Sequence, residues 1–259
     1  MTVTNRRAQR SRLVWCVVAA LALGLWAGGC ATGNPHAPGS IERADFYAEK
    51  GNNLEAVAAY EAFVRHNPTD SLASEAQFRK ALIYMELKEY PLAAVELQIL
   101  RKDFPTSARV EEASYQEGLA YLRQVGDIRR DASGALEARA HFLRFRSTYP
   151  QSVRLPDVEI QLAAISDLMV RKRLAQVDVF RNLSRWQAVA AVLDGLLVDE
   201  PKSSLIPEVL WQRARAAEKL NDFPGAAGFY DRLATEFPES PYTAHAADRA
   251  RNRKGGAGS

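Results

Sequence analysis

The sequence is poor in cysteine. Of 259 residues only Cys16 and Cys30 carry a thiol, and Cys16 lies within an apolar N-terminal run. Once that run is removed, one thiol remains, so the mature chain has no internal disulfide and no cysteine set for structural zinc. Histidine is also scarce: His36, His66, His141 and His245 are scattered, and none stands at metal-ligand spacing from another His, Cys or carboxylate. No HExxH, no phosphate-cradling glycine loop and no GxSxG occurs. Glu111 and Glu112 are adjacent, so on a helix they point apart and make no acid–base pair. These absences exclude the common hydrolytic and nucleotide chemistries; the chain reads as no enzyme, with no cofactor and no metal. No apolar run reaches the roughly 20 residues of a membrane-spanning helix. There is no excess of one charge either. Arg6, Arg7, Arg10 and Arg12 are the only charged residues among the first 29, and without them 30 basic residues face 31 acidic ones. A near-neutral chain lacks the electrostatic footprint of a nucleic-acid binder.

The N-terminus has the layout of an export signal. A basic run over 5–12 precedes 15 apolar residues, 13–27, and then Gly28, Gly29 and Cys30. The stretch Ala27-Gly28-Gly29-Cys30 resembles a bacterial lipobox, in which the cysteine becomes the fatty-acylated N-terminus of the mature protein. Residues 1–29 are therefore expected to be a lipoprotein signal peptide, with lipidation at Cys30 giving the membrane contact. Ala31, not aspartate, follows the cysteine, and in the sorting pattern of such lipoproteins this favours the outer membrane. Residues 30–40 are rich in Gly, Pro and small polar side chains and read as a flexible tether.

What the rest of the chain has in abundance is repetition. Pro68, Pro105, Pro150, Pro201 and Pro238 are each followed within two or three residues by Ser or Asp, at spacings of 37, 45, 51 and 37. Proline ends one helix, and the hydroxyl or carboxylate is expected to cap the next. Twelve residues before each proline stands Ala56, Ala93, Ala138, Val189 or Ala226. Eight before it stands Tyr60, Leu97, Phe142, Leu193 or Tyr230, and five before it Phe63, Leu100, Phe145, Leu196 or Leu233. Steps of four and three place the three on one helical face, the small one admitting a partner helix and the large ones filling the layer between. Tyr90, Trp186 and Phe223 stand fifteen before three of the prolines. The period, near 34, and this pattern are those of tetratricopeptide (TPR) repeats.

The spacing predicts helices near 41–50 and 53–66, 71–87 and 90–103, 109–123 and 133–147, 155–182 and 185–198, and 206–220 and 223–236. The fold class is all-α: a TPR superhelix of about five helix pairs over 41–252, with a capping helix near 241–252 to cover the last apolar face. Residues 253–259 read as a disordered tail. Two units are irregular. The third carries an insert, 126–133, that reads as an extended loop. The fourth opens with an unbroken long helix bearing Arg171-Lys172-Arg173, which is either a solvated face or a docking patch.

Together these features resemble the BamD family, the TPR lipoproteins of the outer-membrane β-barrel assembly machine. The resemblance spans about residues 30–238 and is strongest over 133–152 (SGALEARAHFLRFRSTYPQS) and 180–201 (FRNLSRWQAVAAVLDGLLVDEP). It departs from the family at Arg171-Lys172-Arg173, where an acidic residue is usual, and at Phe180, where tyrosine is common. The resemblance implies a scaffold lipid-anchored in the outer membrane and facing the periplasm, with an outer-membrane barrel-assembly protein and substrate peptides of nascent outer-membrane proteins as partners. Another envelope TPR adaptor, such as a secretin pilot protein or a peptidoglycan- or division-associated factor, is the alternative, though pilot proteins tend to lack the insert and the long helix. In TPR arrays the first helix of each pair lines the concave face. The apolar residues there, Phe78, Leu82, Met85, Tyr115, Leu119 and Leu122, are either core packing or a groove for a peptide rich in aromatics.

Overall fold

The computed structural model describes residues 34–246. The signal segment 1–29, Cys30 and the tail 253–259 lie outside that range. The chain divides into two compact units, Met1–Ala59 and Tyr60–Ser259, and among the described residues there is no strand.

The described part of the first unit holds helix α1 (Ile41–Glu49) and the opening turns of α2 (Asn53–His66). Ser40 starts α1 by accepting the Arg43 N–H at 3.3 Å, and Glu42 in the first turn suits the positive end of the helix dipole. The helix stops at Gly51, whose φ of +71° costs glycine nothing, and the Asn52 N–H turns back to the Tyr47 carbonyl at 2.9 Å.

The second unit contains the remainder of α2, then α3 (Ala73–Glu86), α4 (Tyr90–Asp103), α5 (Val110–Arg123), α6 (Ser133–Thr148), α7 (Leu155–Asn182), α8 (Trp186–Asp199), α9 (Ile206–Lys219) and α10 (Phe223–Glu236). The chain is helical again over 241–246. From α3 onward the well-packed pairs are consecutive helices, the nearest-neighbour pattern of a repeat array. All fifteen register positions named from the sequence are buried.

Two kinds of turn, each repeated, make this array. Inside a hairpin, Lys88, Ser184 and Asn221 take φ values of 62°, 55° and 61°. The next N–H, on Glu89, Arg185 and Asp222, then bonds back at 2.9 Å to the carbonyl of Tyr84, Phe180 and Ala217. This is the left-handed stop that satisfies otherwise orphaned carbonyls. Tyr90, Trp186 and Phe223 open the following helix. Between hairpins, the side chain two residues after the proline accepts the N–H two residues further on. Asp70 takes Leu72 at 2.7 Å, Ser107 takes Arg109 at 3.1 Å, Ser152 takes Arg154 at 3.0 Å, Ser203 takes Leu205 at 3.1 Å and Ser240 takes Tyr242 at 3.3 Å. The sequence pattern predicts that these side chains cap the next helix. They stabilise the turn just before it, and the N-cap residues Leu72, Arg109, Arg154 and Leu205 make no side-chain cap.

The insert also differs from expectation. Residues 126–133 do not extend freely: Ile128 packs against the core formed by α5, α6 and α7, as do Val125 and Met169. Lys172 Nζ, from the middle of the long helix, donates to the Ile128 carbonyl at 3.1 Å. The insert and the added length of α7 are therefore one construction, the helix supplying the wall on which the insert folds. The three residues of the basic triplet have different settings. Lys172 holds the insert, Arg173 pairs with Asp199 at 2.6 Å, and Arg171 is exposed.

Candidate functional site

The candidate binding face is built by a short motif that follows each of the first four repeat prolines. Seven residues after it stands an acid, Glu75, Glu112, Asp157 or Glu208, and ten after it Phe78, Tyr115, Ile160 or Trp211. On a helix these are neighbours, one turn apart. In two units the arginine that starts the next hairpin closes over the pair. Arg109 bonds Glu75, and its guanidinium lies 5.1 Å from the Phe78 ring centroid. Arg154 grips Glu112 through two bonds of 2.8 and 3.0 Å, reaches Asp157 at 3.2 Å and lies 5.1 Å from the Tyr115 centroid. The planar guanidinium serves both contacts at once, which a lysine ammonium would not. Burial pushes the Glu75 carboxyl up, but the bonds from Arg109 and Arg79 outweigh it and hold its pKa below the usual value. In the last unit aromatic rings take the roofing role: Tyr242 and His245 lie 6.5 and 5.8 Å from the Trp211 ring.

Of the two readings of the apolar stripe, core packing or a peptide groove, burial favours core packing for three of the six residues. Phe78, Met85 and Tyr115 are 5%, 6% and 6% exposed. Phe78 and Leu82 pack with Leu97 and Leu100; Met85 and Leu119 pack with Ala93 and Ala94; Tyr115, Leu119 and Leu122 pack with Phe142 and Phe145. The six side chains thus fall into three neighbouring clusters of the core and do not line one open channel. Leu82, Leu119 and Leu122 keep partial exposure. Over Phe78 and Tyr115 the physical reason is the arginine roof. Nothing in the apolar spacing announced it, but Arg109 and Arg154, each four residues after a proline, carried the signal.

A second polar layer was missed for the same reason. Glu117 is almost fully buried, yet it accepts bonds from Arg101, from Gln98 at 3.1 Å and from the Tyr121 hydroxyl at 3.3 Å. His141 is buried beside it, 2.8 Å from the Ser114 carbonyl. Burial lowers the His141 pKa, although the Glu117 charge opposes this. Further along, Arg139 forks onto Glu200 with two bonds of 2.9 Å while Ser166 donates to the same carboxylate at 2.7 Å. These networks join three successive helices each and leave each buried carboxylate hydrogen-bonded, which fixes how successive hairpins dock. Among the described residues no group of His, Cys and carboxylates could hold a metal ion, and no helix is long and apolar enough to cross a membrane.

An open cleft of about 240 Å³ lies between the end of α7, the start of α8 and α9, lined by Arg181, Trp186, Val189, Gln212, Arg215 and Lys219. Lys219 Nζ stands 5.8 Å from the Trp186 ring centroid.

Repeated hairpins with a small residue at most crossings, consecutive packing and two recurring kinds of turn define a tetratricopeptide-repeat protein, and the tetratricopeptide repeat model matches residues 208–240. A second family model, YfiO, described as outer membrane lipoprotein, matches residues 41–223, and the chain belongs to that family. It is 23% identical to the outer membrane protein assembly factor BamD of Neisseria meningitidis over 80% of this chain and 83% of the relative. The same figures hold for BamD of Neisseria gonorrhoeae. Among solved structures it is similar to a thermophilic TPR protein of Thermus thermophilus, at 16% identity and a TM-score of 0.36, over 80% of this chain and 95% of that one.

Proposed function

We propose that this chain is a periplasmic scaffold of the outer-membrane β-barrel assembly machine, anchored in the outer membrane by a lipid on Cys30. In this role it binds an outer-membrane barrel-assembly protein and receives segments of nascent outer-membrane proteins. The observation that carries the reading is the family match over 41–223, which runs through both irregular units. The insert docked on the long α7 supports it, because it gives the third and fourth units a shared surface that a plain TPR array lacks. Substrate segments would meet the roofed face at Arg109, Arg154 and the half-buried Leu82, Leu119 and Leu122, and not at the buried aromatics.

The anchor and the role are tested separately. A fatty-acid probe should label the wild-type protein and not Cys30→Ser; absence of wild-type label refutes the lipoprotein assignment. Depletion of the protein should lower the level of outer-membrane β-barrel proteins while other lipoproteins are maintained. Unchanged barrel proteins would refute the assembly role.

A further inference from the structure

Residues 30–40 have the composition of a flexible tether, but most of that stretch is folded. Asn34 Nδ2 donates to the Arg43 carbonyl at 2.8 Å, and Asn34 Oδ1 accepts the His36 N–H at 3.0 Å. Arg43 returns the contact, donating through Nη1 to the His36 carbonyl at 3.0 Å and through Nη2 to the Tyr47 hydroxyl at 3.1 Å. The His36 ring meets the Phe46 ring edge-on at 6.0 Å. The Ser40 N–H closes the turn on the Ala37 carbonyl at 3.2 Å. Residues 34–40 form a clasp on α1.

The consequence is a short leash. Four residue steps separate Cys30 from Asn34. At 3.3–3.6 Å per residue they span at most about 14 Å, whereas an unclasped chain from Cys30 to Ile41 would span up to about 40 Å. Between Cys30 and Ser40 there is no Asp, Glu, Lys or Arg, and Pro35, Ala37 and Pro38 are exposed. An uncharged, proline-bearing surface lies beside the anchor point.

We propose that the Asn34–Ser40 clasp is a membrane-apposed surface: it holds the N-terminal end of α1 against the phospholipid headgroups, within about 14 Å of the lipidated cysteine. The occupant is the lipid surface itself. Attachment comes from the acyl chains, since a multiply acylated anchor is stable where one chain is marginal; the clasp sets the distance. This rests on the Cys30 anchor of the proposed function and adds to it that the first hairpin is held at the bilayer and does not swing free.

The test uses the full lipidated protein in phosphatidylethanolamine–phosphatidylglycerol vesicles. Ala37→Cys supplies one free thiol, because Cys30 is blocked by its lipid, and carries a fluorophore. Nitroxide labels on the headgroups quench only at short range. Strong quenching is expected in the clasped protein, falling at least threefold when ten Gly and Ser residues are inserted between Gly33 and Asn34. Arg43→Ala, checked for unchanged helicity, should fall towards the insertion variant. Weak quenching in the clasped protein, or equal quenching with and without the insertion, overturns the proposal. Flotation and intact mass are read on the same samples. A protein that carries no lipid and does not float refutes the anchor and this proposal with it, whereas a lipidated, floating protein without headgroup quenching refutes this proposal alone.

Discussion

Tyr115 decides between a groove and a core, and the structure gives a magnitude. Its ring lies 6.2 Å from those of both Phe142 and Phe145, with the Arg154 guanidinium 5.1 Å above it. Val158 and Ile165 of α7 belong to the same cluster. Replacing such a ring by Ala removes a buried aromatic at a junction of three helices, which costs about 3–5 kcal/mol. Loss of the guanidinium contact adds about 0.5–1 kcal/mol at this half-exposed arginine. For a domain of this size roughly 2–4 °C of melting temperature is lost per kcal/mol, so Tyr115→Ala should melt at least about 6 °C lower than wild type. Tyr115→Phe keeps the ring and should melt close to wild type. Because a repeat array is coupled mainly between neighbours, hydrogen exchange should rise first in α5, α6 and the start of α7. The assay is a thermal melt with exchange on the same proteins. A Tyr115→Ala protein that melts like wild type but loses peptide binding would refute the burial argument and restore the groove.

Other perturbations test the register, the close crossings and the insert. Ala93 is fully buried where α4 meets α3 and α5, and Ala93→Leu should cost about 1–3 kcal/mol by overpacking, read by urea denaturation; no loss would break the repeat register. A Cβ on Gly118 would stand 2.7 Å from the buried Phe142 ring, so Gly118→Ala should destabilise although alanine favours helix by about 1 kcal/mol; a stabilised melt contradicts this crossing. Lys172→Ala should free the Ile128 carbonyl and raise proteolysis or exchange over 126–132, with little change elsewhere; a protected insert would show that α7 does not hold it. Burial pushes the Asp167 carboxyl up, but hydrogen bonds from the Ser203 and Ser204 hydroxyls and the Ser204 N–H prevail, and its pKa is lowered. A depressed carboxyl contributes stability that is present above its unfolded pKa, near 4, and lost as pH falls through the folded value. Asp167→Asn should flatten that acid limb of the stability curve, and an unchanged limb would show that Asp167 does not shape it.

The array was legible because its rule is periodic. Ala93, Leu97 and Leu100 recur as Ala138, Phe142 and Phe145, and helical geometry alone puts each set on one buried face. What the periodicity did not reveal is contact between repeats made by single polar side chains. Arg109 and Arg154 look like exposed charges in sequence, yet each covers an aromatic of the preceding unit. The apolar stripe they cover was consistent with core or groove, and apolar spacing alone cannot separate the two. Gly, Pro and polar content mark residues 126–133 as an extended loop and 30–40 as a flexible tether. Residues 126–133 and 34–40 are each held by a long cationic side chain, Lys172 and Arg43, that composition does not count. Gly118 went unremarked because a small residue inside a helix signals nothing until the Phe142 ring facing it is known.

Whether this member of the outer membrane lipoprotein family works in barrel assembly is decided by purifying the native lipidated protein from detergent-solubilised membranes and identifying what co-elutes by mass spectrometry. Stoichiometric recovery of an outer-membrane barrel-assembly protein, retained at moderate salt, is expected. Recovery of a secretin or of peptidoglycan and division proteins, with no barrel-assembly protein, would contradict the assembly role.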